Sequence, residues 1–246
     1  MMNCIENQAV AKKLIQFRLM LILASLICLF FTSTVRAQWQ GIDLEWTLKR
    51  DRNGIQVFLS KVPDSKFRAV LSVMKLEAST QQLAALVMDL DNCPNWAAMC
   101  KSAEIIEPIS PTESYVYSIN DAPFPVRDRD VVAHVEWFYE KPSGRVIMRS
   151  DAISGRLPER KGLVRVHQAS SEWHFTPQAD GIVLVENYAH IDPNGKLPAW
   201  IINLLIEDSP YQTLSNMRKL VLKGAYSNAE VAFIPTPANA AELKIN

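Results

Sequence analysis

Hydrophobic and polar positions alternate along most of the chain between residues 103 and 191, and this period of two is typical of half-buried β-strands. Proline and glycine interrupt the alternation at short intervals. The pattern predicts six strands: Ala103–Glu107, Ser114–Asn120, Asp130–Glu140, Arg145–Asp151, Leu163–Phe175 and Ile182–Ile191. Because the connections between them are short, we expect an antiparallel meander.

Helical and extended patterns alternate in the preceding segment. The first pattern, Trp39–Lys49, places apolar residues at helical spacing and predicts a short amphipathic helix. Two runs, Ile55–Ser60 and Phe67–Leu76, predict a hairpin with a longer loop.

A capping pattern marks the next helix. Ser79 is a favourable N-cap, and Gln82 stands at the position that completes a capping box. We predict a helix from there to about Asp91-Asn92, and a short helical turn around Trp96.

The last predicted element is a long helix from Pro198 to about Tyr226, kinked at Ser209-Pro210 because proline removes a backbone donor. Residues 227–246 have no periodicity and are expected to be disordered. The elements together predict an α+β fold, in which a strongly curved antiparallel sheet packs against the C-terminal helix. Small or apolar side chains on the concave face would leave room for a ligand.

Composition and charge add two constraints. The 246 residues are 48% hydrophobic, which suits one domain of about 200 residues with short extensions. Lysine and arginine together number 26, as do aspartate and glutamate, so the net charge of zero gives no support for nucleic-acid binding.

The N-terminal residues 1–37 have the features of a signal peptide. Basic residues up to Arg18 precede the apolar stretch Leu19–Phe31, and small residues precede Gln38. We predict cleavage before Gln38 and a periplasmic or secreted protein, with an uncleaved N-terminal anchor as the alternative. Residues 38–226 would then form the ligand-binding domain and residues 227–246 the tail.

Two cysteines would remain after cleavage, Cys93 and Cys100. The intervening Pro94-Asn95-Trp96 could turn the chain back for a disulfide, whereas a straight helix would hold the two Cα atoms about 10 Å apart. A disulfide and two buried free thiols are both open on this evidence. No histidine lies near enough in the sequence to complete a ligand set, so no metal site is predicted.

The predicted strand faces separate candidate binding residues from solvent-facing ones. On the strand that contains Val135, this residue lies on the apolar face and His134 is expected to face solvent. Asn187 is an amide on an apolar face, where it would bond a neighbouring backbone group or contact a lipid headgroup. Tyr117 could line a pocket or belong to an ordinary core.

Charged positions leave similar alternatives. Residues 127–130 read Arg-Asp-Arg-Asp, and they form either a solvated loop with pairs across the turn or a pair turned inward beneath a ligand. Arg165 lies within a predicted strand, where it is paired to a carboxylate or, more commonly, directed outward. The chain has no nucleophile elbow, P-loop, zinc-protease motif or dinucleotide fingerprint, and no cofactor is expected.

Several motifs taken together resemble the START family of lipid-transfer domains, over roughly Trp39 to Tyr226. They are Arg129-Asp130 at the start of a strand, Pro158 followed by Gly162-Leu163-Val164-Arg165, and Asp192-Pro193-Asn194-Gly195-Lys196-Leu197-Pro198. The resemblance implies a helix-grip fold, in which the curved sheet wraps the C-terminal helix. It also implies an internal tunnel that takes one hydrophobic ligand.

The resemblance further implies roles for individual residues. Asn120–Val126 would be a mobile entrance loop, Arg129 and Asp130 the family's Arg-Asp pair with a mainly structural role, and Asn203 a matching position on the final helix. Val135 stands where sterol-binding members carry a basic residue, so a sterol-type polar anchor is not expected. The candidate ligand-binding residues are Tyr117, Arg129, Asp130, Val135, Asn187 and Asn203.

The leading hypothesis is a non-enzymatic carrier or sensor of one lipid or lipid-like molecule in the bacterial envelope, monomeric and in transient contact with a membrane. One alternative is an enzyme of the same architecture, of a cyclase or hydrolase type, with Tyr117, Asn187 and Asp130 as candidate acid-base groups. Another is an interaction module whose core is filled and whose final helix docks a partner protein.

Overall fold

The computed structural model of the protein describes residues 34–39 and 41–235. Its strands are β1 (Thr34–Trp39), β2 (Ile42–Arg52), β3 (Ile55–Lys61), β4 (Arg68–Glu77), β5 (Cys100–Ser110), β6 (Glu113–Asn120), β7 (Arg129–Glu140), β8 (Arg145–Ala152), β9 (Val164–Arg165), β10 (Gln168–Pro177) and β11 (Ile182–Asp192). They form a single sheet in the order β1-β2-β3-β4-β11-β10-β8-β7-β6-β5, with β9 beside β7. The β7–β9 pair is parallel, and every neighbouring pair from β2 to β5 along this order is antiparallel.

The helices are α1 (Thr80–Met88), α2 (Cys93–Trp96), α3 (Ala199–Asn203) and α4 (Ser209–Leu222). Short 3-10 helices occupy Leu90–Asn92 and Ala179–Gly181, and a π-helix, Leu204–Asp208, joins α3 to α4. The predicted N-cap is confirmed, because the Ser79 hydroxyl accepts a hydrogen bond from the Gln82 N–H at 3.0 Å.

The main core lies between the concave face of the sheet and helix α4. Leu214, Met217 and Val221 of α4 are buried in one cluster with Phe175 and Val185 of the sheet. This arrangement confirms the predicted α+β, helix-grip architecture, in which a curved antiparallel sheet holds the C-terminal helix.

The helix predicted at Trp39–Lys49 is wrong, because β2 occupies this segment. Leu44 and Trp46 are both buried, at a spacing of two, and they pack with Phe58 and Tyr188 in a second cluster. The edge of β3 satisfies the backbone hydrogen bonds of residues 47–52, and this tertiary pairing overrides the helical spacing of the apolar residues.

The single strand predicted at Leu163–Phe175 is two strands, β9 and β10. The β9 segment pairs with β7, and the Val164 and Val166 N–H groups donate to the carbonyls of Asp128 and Asp130 at 2.9 and 2.8 Å. The following strand, β10, pairs with β8 and β11 instead. The chain therefore leaves β7 after Arg165, and β10 begins at Gln168.

The predicted disturbance near Ser209-Pro210 takes the form of the π-helix that precedes it. Pro210 cannot donate to a carbonyl one turn earlier, and a wider helical turn accommodates the missing bond. Helix α4 ends at Leu222, four residues before the predicted end, where Gly224 has φ +80° and the Ala225 N–H bonds the Leu220 carbonyl at 3.1 Å.

The first part of the tail, residues 227–235, is packed against the domain, and the disorder predicted for it is wrong. Val231 and Ile234 are buried, and Phe233 lies against the Trp137 ring with 6.0 Å between ring centroids. The Gln81 amide holds this segment by donating to the Ile234 carbonyl at 2.7 Å and accepting from the Val231 N–H. Residues 236–246 lie outside the described residues, as does most of the predicted signal peptide.

Cys93 and Cys100 form a disulfide with 5.9 Å between their Cα atoms. Helix α2 is only four residues long, and Met99 follows it with φ +68°, so the chain folds back before β5 begins. Of the two alternatives that the sequence left open, the reversal of the chain therefore favours the disulfide over two free thiols.

Candidate functional site

A cavity of about 270 Å³ lies between one end of the sheet and the helical segment that crosses it. Sheet residues from β4, β7, β10 and β11 form one side, and residues of α3, the π-helix and the first turn of α4 form the other. The lining is mostly apolar and comprises Phe67, Arg68, Val70, Ala98, Met99, Asn120, Asp121, Ala122, Arg129, Val131, Val166, Ala169, Asn187, Ala189, Ile191, Pro193, Leu197, Ile201, Ile202, Leu205, Ile206, Ser209, Pro210 and Thr213.

The cavity exists because side-chain size changes along the concave face. One cross-strand row consists of large residues and is filled core: Val146, Phe175, Val185, Met74 and Ile55. The row that lies two steps closer to the cavity has smaller side chains. Its members face one another across neighbouring strands and are Ser150, Ser171, Ala189 and Val70. Because these small side chains do not reach the helical segment that crosses them, they leave a void beneath it.

The helical side of the cavity has four apolar lining residues that were not among the predicted binding residues. Ile201, Ile202, Leu205 and Ile206 all line it. The signal was present as an almost unbroken apolar run at residues 200–206, which is wider than the stripe of an ordinary surface helix. The π-helix spans two of these residues and widens the turn that faces the cavity.

Arg129 and Asn187 are the two predicted binding residues that line the cavity. The Asn187 amide also donates to the Glu172 carbonyl at 3.3 Å, which confirms the backbone hydrogen bond offered as one alternative. Its contact with a ligand stays a prediction.

Arg129 holds the turn that leads from β11 into the helical segment. Its guanidinium donates to the carbonyls of Pro193 at 3.3 Å and Asn194 at 3.4 Å, and also to that of Arg127. Burial lowers the pKa of Arg129, the neighbouring Arg127 lowers it further, and Asp128 opposes the shift. The side chain thus satisfies its donors with carbonyl groups at the rim of the cavity.

Tyr117 and Asp130 do not line the cavity, which corrects their assignment as binding residues. They lie on the opposite, convex face, where the Tyr117 hydroxyl donates to Asp130 at 3.0 Å. Arg165 bonds the same carboxylate through two nitrogens at 2.9 and 3.1 Å. Of the two alternatives for Arg165, the pairing to a carboxylate is therefore correct and the more common outward orientation is not. Two acid-base candidates of the enzyme alternative, Tyr117 and Asp130, lie outside the cavity.

Val135 and Asn203 also lie outside the cavity lining. Val135 is a buried member of the main core, and Asn203 is exposed on α3. The inward face predicted for Val135 is correct, but neighbouring core side chains fill the space in front of it.

The entrance loop implied by the resemblance, Asn120–Val126, contributes Asn120, Asp121 and Ala122 to the rim. Asp128 fixes its base by accepting from the Ala122 N–H at 3.0 Å and from Lys101 at 2.8 Å. The hydrogen bond from Lys101 and that from the Ala122 N–H lower the pKa of Asp128. Phe124, at the tip of the loop, is 93% exposed.

One group on the convex face has metal-binding side chains, namely Glu113, His134 and Glu136. The His134 Nε2 and Glu113 Oε1 atoms are 2.7 Å apart, so these groups hydrogen-bond each other. His134 is partly exposed, as its strand face predicted. None of the three lines the cavity.

The START domain family model matches residues 38–223 of the chain. An uncharacterized protein of Pseudomonas aeruginosa is 32% identical over 180 residues, which cover 73% of this chain and 88% of that protein. Human phosphatidylcholine transfer protein is 27% identical over 71% of this chain and 83% of its own length.

A solved structure shows the same architecture. The crystal structure of the STAR-related lipid transfer protein from Xanthomonas axonopodis has a TM-score of 0.66 and 30% sequence identity, and the match covers 72% of this chain and 98% of that one. No helix in the described part of the chain is long and apolar enough to cross a membrane. The match over residues 38–223 places the chain in the START domain family.

Proposed function

We propose that the protein binds a single lipid or lipid-like molecule in the cavity beneath the helical segment and carries or senses it in the bacterial envelope. The observation that supports this most directly is the apolar cavity between the sheet and residues 197–213. Burial of an apolar ligand there would contribute about 25 cal/mol for each Å² removed from water, before the costs of ordering. The names of the relatives support the same function, since they include a phosphatidylcholine transfer protein and a STAR-related lipid transfer protein.

The envelope location rests on the signal-peptide pattern of residues 1–37. The Cys93–Cys100 disulfide is consistent with it, because disulfides persist in oxidising compartments such as the periplasm. Detection of the protein in a periplasmic fraction, with an N-terminus at Gln38, would test this part of the proposal.

Ligand exchange would take place through an opening between the entrance loop and the helical segment, both of which line the cavity. The Phe124 ring is exposed at the tip of the loop, and we propose that it makes the transient contact with a membrane. A monomeric carrier is part of this proposal, and the residues of a single chain are sufficient to form the cavity.

Native mass spectrometry of the protein exported to a periplasm, followed by lipid extraction, tests the proposal. We expect a discrete additional mass that is released on denaturation. An Ala189→Trp variant, which fills the cavity, should lose this mass. A Lys75→Trp variant, at an exposed position of β4, should retain it. Protein that stays free of lipid after incubation with envelope lipids would contradict the proposal.

A further inference from the structure

The open end of the cavity carries a cationic side chain, Arg68. Val70 of β4 and Ala189 of β11 are directly opposed, and Arg68 and Ile191 lie two residues further toward the same end of the sheet. All four line the cavity, and the exposure of Arg68 and Ile191 marks this end as the open one. Within the described part of the chain, the Arg68 guanidinium makes no hydrogen bond or ion pair with another residue.

The other two charged residues of the lining, Asp121 and Arg129, already have partners. The Asp121 Oδ1 atom lies 3.9 Å from the Lys101 Nζ atom, so a cation already faces this carboxylate. Each nitrogen of the Arg129 guanidinium donates to a backbone carbonyl. Arg68 is therefore the charged group of the lining that is available to an anionic ligand group.

The remainder of the lining is mostly apolar, and its helical side consists of isoleucine and leucine at residues 201–206. The volume of about 270 Å³ is slightly below the range of about 300–1,000 Å³ that is typical of pockets for drug-sized ligands. A lipid with two long acyl chains is larger than such ligands, whereas a single alkyl chain matches both the volume and the apolar lining.

We infer that the ligand is a single-chain carboxylate, whose alkyl chain lies in the cavity and whose head group binds Arg68 at the open end. A planar guanidinium bonds a carboxylate through two parallel N–H groups. One unpaired cation also matches the single charge of a carboxylate better than the charge of about −1.5 to −2 on a phosphate monoester. The inference rests on the proposed function and specifies the class and the orientation of its ligand.

Dodecanoate and its uncharged methyl ester test this inference, because they have the same alkyl chain and differ in charge. The readout is displacement of N-phenyl-1-naphthylamine, an uncharged probe, from delipidated protein at about pH 8, where the carboxyl group is ionised. An Arg68→Gln variant should weaken dodecanoate binding about three- to tenfold, as expected for a partly exposed charged pair. Binding of the methyl ester should stay within about twofold of the wild type.

A Lys61→Gln variant is the matched control, because Lys61 is exposed, lies directly opposite Arg68 on β3 and does not line the cavity. It should change dodecanoate binding by less than about twofold, since it removes the same charge without removing a contact. Both positions are exposed, so both variants should fold as the wild type does. Equal weakening of both ligands by Arg68→Gln, or no weakening of either, would overturn the inference.

The number of alkyl chains needs a separate comparison. A carboxylate with two chains, 2-decyltetradecanoate, should bind the wild type at least about tenfold more weakly than dodecanoate, because the second chain exceeds the cavity. Equal or tighter binding of the two-chain carboxylate would overturn the single-chain assignment. Failure of the wild type to bind any of these ligands or any envelope lipid would instead contradict the proposed function itself.

Discussion

Arg165 and Asp130 form a bidentate ion pair with side-chain exposures of 4% and 1% on the convex side of the sheet. Arg165 also donates to the carbonyls of Leu157 and Pro158, at 3.1 Å each. The pair therefore fixes the segment that leads into β9. The adjacent Arg129 has the opposite orientation and lines the rim of the cavity. Arg129 and Asp130 therefore lie on opposite faces of the sheet.

Removal of the charge on Asp130 should destabilise the fold. In an Asp130→Asn variant, the Arg165 guanidinium would stay buried without a counter-charge, and we expect a loss of about 3–5 kcal/mol in the free energy of unfolding. Urea denaturation measures this difference. A Glu140→Gln control, at a partly exposed pair, should have little effect. A loss below about 1 kcal/mol in Asp130→Asn would show that the pair is not a major stabilising contact.

The same ion pair predicts a dependence on pH. Burial raises the pKa of Asp130, but the hydrogen bonds from Arg165 and Tyr117 outweigh it, and the net result is a lowered pKa. A group with a lowered pKa contributes stability above its unfolded pKa, about 3.9 for aspartate, and loses this contribution as the pH falls through the folded value.

The stability difference between wild type and Asp130→Asn should therefore be constant from about pH 5 to 7 and shrink below about pH 4. Urea midpoints measured across this range provide the test. A difference that grows on acidification would mean that the pKa of Asp130 is raised in the folded protein and not lowered.

The Cys93–Cys100 disulfide supports the wall of the cavity. The residues between the cysteines include Ala98 and Met99, both in the lining. The Ala98 N–H donates to the Thr213 hydroxyl at 3.0 Å, which ties this turn to α4. Replacement of both cysteines by serine should cost about 2 kcal/mol, as expected for a short closed loop, and should speed ligand release.

Calorimetry and the rate of lipid release to acceptor vesicles measure these two effects. Treatment of the wild type with a reductant should reproduce both, whereas the double variant should not respond to it. If the variant keeps wild-type stability and release, the disulfide does not support this wall.

The segment after α4 should contribute to stability, although it forms no regular helix or strand. Deletion of residues 229–246 removes the buried Val231 and Ile234 and leaves the Gln81 amide unpaired. We expect a loss of about 2–4 kcal/mol, chiefly from the two apolar side chains. Deletion of residues 236–246 alone is the control and should leave the unfolding midpoint unchanged. Equal stability of the two truncated forms would show that the packed segment is dispensable.

Phe124 should affect transfer without affecting the fold. The side chain is exposed and lies at the tip of the entrance loop, so a Phe124→Ser change should leave the unfolding midpoint within error of the wild type. Lipid transfer between vesicles should slow severalfold if this ring enters the bilayer. Phe138→Ser, which alters an exposed phenylalanine of β7 outside the lining, should transfer lipid at the wild-type rate.

Local patterns in the sequence were sufficient for much of the sheet. Alternation placed Val135 and Asn187 on inward faces and His134 outward, because a strand has a strict period of two. The Ser79 cap was predictable because its hydrogen bond joins residues only three positions apart. The family resemblance supplied the order of the elements and the helix-grip fold.

Other features depend on residues that are distant in the sequence. Trp46 lies in a strand because β3 and Tyr188 provide its partners, although the spacing also fits a helix. Arg165 is buried because Asp130, 35 residues earlier, lies beside it. Val231 and Ile234 are packed into the core, where Gln81, about 150 residues earlier, bonds their backbone groups.

The cavity itself was the least predictable feature. Its size depends on which small residues on four strands become neighbours, and on where the helical segment crosses them. The sequence determined which face each strand residue occupies, since that is a local property of an alternating backbone. Only the tertiary structure decided which inward residues meet empty space and which meet another side chain, because packing joins positions that the chain order separates.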